Sequence, residues 1–139
     1  MGRPAIVLDT NVVLSAAFAR QSIPAQVFDK ALTDGQVLLS QPLWEELRDV
    51  LTRRHVLARL SAERIDELLE GYRRAARWLK PDRQVLDSPD PDDAMLFELS
   101  ITGHADFLVT GDKRLWVLDP YGARGTRVVS PRSFLDLIG

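Results

Sequence analysis

The chain has 139 residues, 45% hydrophobic and 27% charged, the profile of one globular domain (residues 1–139) that can bury a core unaided by disulfides or structural metal. Cysteine is absent, which excludes thiol nucleophiles and every Cys-based zinc site. The net charge of −2 does not advertise nucleic-acid binding. No apolar run nears the roughly 20 residues of a membrane span, and Ala5–Leu8 is too short for a signal-peptide core, so a cytoplasmic protein without membrane contact is expected.

In chain order, Ala5–Leu8 is a short apolar run ending at Asp9, the pattern of a strand buried on both faces. Helical pattern covers about Val12–Phe18 and Pro24–Leu32, and Asp34-Gly35 stops it. Gln36–Leu39 is a second strand. Ser40 as cap and Pro42 in the first turn open a helix running to about Arg54. Ser61 opens another, expected to reach about Leu79 before Pro81, and Gln84–Leu86 reads as a further short strand. Turn chemistry at Ser88–Asp93 leads into a helix over about Asp92–Thr102, ended by Gly103. Asp106–Thr110 is a strand, Leu115–Leu118 is ambiguous, Pro120–Gly122 is a turn, Arg127–Val129 is the last strand and Pro131–Ile138 the last helix. Strands alternating with helices predict an α/β fold with a parallel sheet.

Charge is segregated along the chain. Seven Arg face four acids between Arg53 and Arg77, whereas five Asp face one Arg between Asp82 and Asp93. In an open parallel sheet, ligands bind beyond the carboxyl ends of the strands where the strand order reverses. Asp9 ends the first strand and Asp112 follows the Phe107–Thr110 strand, so both carboxylates enter one crevice if those strands are neighbours. Asp92 and Asp93 begin a helix that is apolar nearly all round and therefore buried. On the helix after Ser40, the stripe Leu43, Leu47, Val50 and Leu51 puts Glu45 on the far side and Glu46 at the flank of the buried face.

Carboxylates that converge repel, by roughly 4 kcal/mol per pair at 4 Å and an effective dielectric near 20. They must protonate or bind a cation, and an all-oxygen donor set suits Mg²⁺ or Mn²⁺. Such an ion supports phosphoryl transfer or hydrolysis. Thr10, Asn11 and Thr110 are short polar groups placed to orient the acids or water. A Gly-rich phosphate loop and a nucleophile elbow are both absent, and His55 and His104 have no spaced partner. A phospho-aspartate receiver or phosphatase is the competing α/β reading. Asn11 stands where the phosphatase class needs a second Asp, and a receiver needs an acidic pair where only Asp9 stands. A non-catalytic domain binding RNA or a partner is a third reading.

Val7–Asn11, a mid-chain Glu after a short strand, Pro91-Asp92-Asp93 before an apolar helix, and Phe107–Asp112 together resemble a PIN-domain ribonuclease. The closing stretch from Asp112 to Phe134 resembles the toxin branch of toxin–antitoxin modules. The resemblance implies a three-layer α/β/α fold with a parallel, PIN-like central sheet and Mg²⁺- or Mn²⁺-dependent cleavage of RNA. It implies catalytic, metal-binding acids at Asp9, Glu46, Asp93 and Asp112 with Thr110 as helper, favouring the second residue of each adjacent acidic pair. It further implies a homodimer and a small protein antitoxin that covers the site. Arginines of the Arg53–Arg77 region would hold the RNA backbone.

Overall fold

The apolar runs do form a sheet, and Ser–Pro pairs start several of the helices around it. The computed structural model describes residues 2–81, 91–116 and 125–139. Its elements are β1 (Ala5–Leu8), α1 (Thr10–Phe18), α2 (Ile23–Asp34), β2 (Gln36–Leu39), α3 (Gln41–Leu51), a single turn α4 (Arg54–Leu57), α5 (Ala62–Ala75), β3 (Arg77–Trp78), α6 (Pro91–Thr102), β4 (Phe107–Val109), α7 (Lys113–Trp116), β5 (Arg127–Val129) and α8 (Pro131–Ile138). Ser22, Ser40, Ser61 and Ser130 cap α2, α3, α5 and α8, each accepting from the backbone N–H three residues on. In α2, α3 and α8 a proline follows in the first turn, where its missing N–H costs nothing.

The strands form one parallel sheet in the order β3-β2-β1-β4-β5. β1 is the central strand, with Ile6 opposite both Val37 and Phe107, and Leu8 opposite Val109. Ile6, Val7, Leu38, Leu39, Leu108 and Val109 are essentially inaccessible, as a parallel sheet covered on both faces requires. α2 and α5 lie against β2, and α8 packs on both α2 and β4. The crossover from β3 back to β4 reverses direction along the sheet, so right-handedness puts α6 on the opposite face, against β1, β2 and β4. The result is the expected three-layer, PIN-like arrangement. Among the described residues, no helix is long and apolar enough to cross a membrane.

Two boundaries differ from expectation. The helix begun at Ser61 stops at Ala75 rather than near Leu79, and Arg77–Trp78 becomes the edge strand. The open edge of β2 outcompetes further helical turns there. Leu39 O accepts from Leu79 N–H at 2.9 Å, Gln36 Nε2 donates to Ala75 O at 2.9 Å, and Trp78 packs edge-on to Trp44 with centroids 5.5 Å apart. The strand expected at Gln84–Leu86 lies outside the described residues. The helix after Ser40 ends at Leu51 because the Thr52 hydroxyl donates to Arg48 O and Asp49 O, both at 3.0 Å, closing the last turn. Of the ambiguous Leu115–Leu118 stretch, Leu115 and Trp116 belong to α7.

Leu108, fully buried in β4, has no route for collapse around a smaller side chain. Leu108→Ala is expected to cost about 3 kcal/mol, read as a lowered denaturant midpoint at unchanged slope.

Candidate active site

Because β1 and β4 are hydrogen-bonded neighbours, the residues that follow them emerge side by side. Asp9 follows β1. Its N–H continues the ladder to Val109 O at 2.9 Å, and its side chain caps α1, accepting from Asn11 N–H at 3.4 Å. Thr110 follows β4 and is wholly buried. Its hydroxyl donates to Asp9 Oδ2 at 2.7 Å and accepts from Asp112 N–H at 3.0 Å. One threonine thus ties the carboxylate of Asp9 to the backbone of Asp112. Trp116 Nε1 donates to Thr110 O at 2.8 Å and fastens that strand end.

The next residue, Thr10, is buried and donates its hydroxyl to Glu46 Oε2 at 3.0 Å. Leu43, Leu47, Val50 and Leu51 make the buried stripe of α3, and Glu46 stands half-buried at its flank. Glu45 is exposed and accepts from Gln41 Nε2 at 3.2 Å, so Glu46 is the one turned toward Asp9. In the first turn of α6, half-buried Asp93 lies 3.9 Å from Arg114 Nη2. Its neighbour Asp92 is exposed but close enough to raise the proton affinity of Glu46. Both acids of that pair therefore stand at the rim. The Asn11 side chain is exposed, and only its backbone engages Asp9.

Arg114 is the site residue that the sequence did not disclose. It meets Asp112 through Nε, 3.1 Å from each carboxylate oxygen, and through Nη2, 2.6 Å from Oδ2. Asp112 Oδ1 also accepts Arg114 N–H at 3.0 Å, an Asx turn that opens α7. The only sequence signal was an Asp two residues before an Arg at a strand end, which is common turn chemistry. Trp116 was missed for the same reason, since its partner is a backbone carbonyl.

Burial pushes the Asp9 carboxyl above the usual carboxylate range, over the opposing hydrogen bonds from Thr110 and Asn11, and Asp112 adds to the rise. Burial likewise pushes Glu46 up, reinforced by Asp92 and Asp9. Hydrogen bonds from Arg114 hold Asp112 below that range. Two carboxylates thus sit where their negative charge is disfavoured, and one is neutralised by an internal cation. The donors are of the type that a hard dication takes. Among the described residues, no three acidic or histidine side chains are gathered as a metal-ligand group, and Asp112 is directed to Arg114.

The switch point of a parallel α/β/α sheet is where many proteins of this architecture place their ligands, so the rim of acids marks a class of fold rather than one protein. The model of the PIN domain matches residues 5–114, and the chain belongs to that family. Among solved structures it is similar to PAE2754 from Pyrobaculum aerophilum, at 15% identity and a TM-score of 0.66, covering 97% of this chain and 89% of that one. It is also similar to VapBC2 from Rickettsia felis, solved bound to a DNA fragment from their promoter, at 11% identity and a TM-score of 0.60, covering 91% of this chain and 98% of that one. No curated protein sequence matches it.

The raised proton affinity of Glu46 has a signed consequence. An acid whose folded pKa exceeds its unfolded one weakens the fold as pH rises through that window, because the native state then loses a proton that it holds more tightly. Glu46→Gln, which keeps an acceptor for Thr10, is therefore expected to raise the melting temperature of metal-free protein by a few degrees at pH 7. The gain should vanish below the ordinary glutamate pKa of 4.5, where wild type also carries the proton. Melting curves across pH check this.

Proposed function

We propose that this protein is a metal-dependent endoribonuclease that hydrolyses phosphodiester bonds of RNA. The observation that carries the reading is the chain of contacts from Glu46 through Thr10, next to Asp9, and from Asp9 through Thr110 to Asp112, at the carboxyl ends of adjacent strands. Asp93 joins from α6 through Arg114. PIN-family membership supports the nuclease class.

Asp9, Glu46, Asp93 and Asp112 are the residues that would hold Mg²⁺ or Mn²⁺. What a dication supplies when bound there is neutralisation of the phosphodiester charge and acidification of water. The protein's own share is orientation and proton handling. Thr110 fixes Asp9 Oδ2, and Thr10 fixes Glu46 Oε2. Glu46 Oε1 has no protein partner among the described residues, and the high proton affinity of this carboxyl suits it to take a proton from attacking water. Asn11 supports Asp9 through its backbone N–H.

The fold shared with VapBC2 supports a finer reading, the toxin of a toxin–antitoxin pair, acting in the cytoplasm as a homodimer and inhibited by a small antitoxin laid over the acidic rim.

Cleavage of a generic single-stranded RNA in Mn²⁺ is the direct test. Chelation should abolish it, and Asp9→Asn should lower it by about a hundredfold or more while keeping the helix cap. Equal cleavage by wild type and Asp9→Asn would end the proposal. Arg114 competes with a dication for Asp112. Arg114→Gln is therefore expected to bind Mn²⁺ several-fold more tightly in calorimetry.

A further inference from the structure

The structure sorts five of the seven arginines of the Arg53–Arg77 region. Arg53 pairs with Asp49, Arg73 and Arg74 pair with Glu70, and Arg59 lies over the Phe18 ring at 4.5 Å. Arg64 differs. Its Nε is fully buried yet has no hydrogen-bond partner. Its side chain lines a cavity of about 320 Å³ together with Arg20, Ala25, Phe28 and Asp29. Among the described residues, neither Arg20 nor Arg64 makes an ion pair. Two guanidiniums against one carboxylate leave the cavity net positive, and the packed Arg64 Nε shows that this side chain is held in place without a protein acceptor of its own.

The position of this cavity follows from topology. α2 and α5 lead directly into β2 and β3, which run parallel to β1, so their first turns lie toward the carboxyl edge of the sheet. Ala25 and Arg64 belong to those turns, on the edge that carries Asp9. α1 joins Asp9 to the Arg20 loop over nine residues, about 13 Å of helix. The cavity is therefore lined from the carboxyl side of the sheet, the side on which the acids stand.

We propose that Arg20 and Arg64 form a phosphate pocket that grips the single-stranded RNA backbone at a phosphate other than the one cleaved. The inference rests on the ribonuclease reading. Guanidinium forks match phosphate oxygens two at a time, and among the described residues neither Arg20 nor Arg64 gives its fork to a carboxylate. Acids at the rim engage the scissile group and repel the rest of the strand. A basic pocket to one side offsets that repulsion and sets the direction of the strand.

The test uses the full chain carrying Asp9→Asn to stop cleavage, with a labelled single-stranded RNA titrated at several salt concentrations. Adding Arg64→Gln or Arg20→Gln should weaken binding several-fold and reduce the slope of log affinity against log salt by about 0.7, one phosphate contact on a single strand. Arg64→Lys should restore the slope but only part of the affinity. Arg74→Gln, at an arginine paired on its own helix, should change neither. Unchanged affinity and slope in both Arg20→Gln and Arg64→Gln would overturn the pocket while leaving the nuclease reading intact. Absence of RNA binding by the Asp9→Asn parent would remove both. Displacement of the RNA by poly-glutamate at equal charge would overturn a phosphate site in favour of an acidic protein segment.

Discussion

The parallel pairing of β1 with β4 is the constraint on which the site depends. Residues from the two ends of the chain become neighbours only because Val7 faces Leu108 and Leu8 faces Val109 in a core strand pair that excludes water. A slip of one residue would turn every side chain to the other face of the sheet. It would also part the Thr110 hydroxyl from Asp9 Oδ2, a contact of 2.7 Å. Apolar burial thus sets the geometry of the acids, although Val7, Leu8, Leu108 and Val109 have no polar chemistry of their own.

The acids are held against their electrostatic preference. Asp9 and Glu46 are partly withdrawn from water, each kept in place by a threonine hydroxyl, and each is made harder to ionise by acidic neighbours. Arg114 relieves part of this strain by closing on Asp112 and approaching Asp93. The arrangement costs stability, since it gathers like charges that a fold optimised for stability alone would keep apart.

Much of this was legible in the residues. The runs at β1, β2, β4 and β5 are apolar on both faces, so period and composition alone mark them as buried parallel strands. The stripe of α3 separates Glu46 from Glu45 because a helix has only one inward face. β3 was not legible, since Arg77 and Trp78 are exposed and extend only to pair with β2. Arg114 was hidden because an Asp two residues before an Arg reads as ordinary turn chemistry, and its approach to Asp93 in α6 is not encoded locally. The basic segment read as a single region, and only packing distinguishes Arg64 from arginines satisfied on their own helices.

The outermost strands have a bearing on self-association. β3 is two residues long and β5 three, and each is followed or shadowed by bulky side chains or a helix. Among the described residues the ladder offered to a second copy is therefore two residues long at one margin and three at the other, a short template for lateral extension of the sheet.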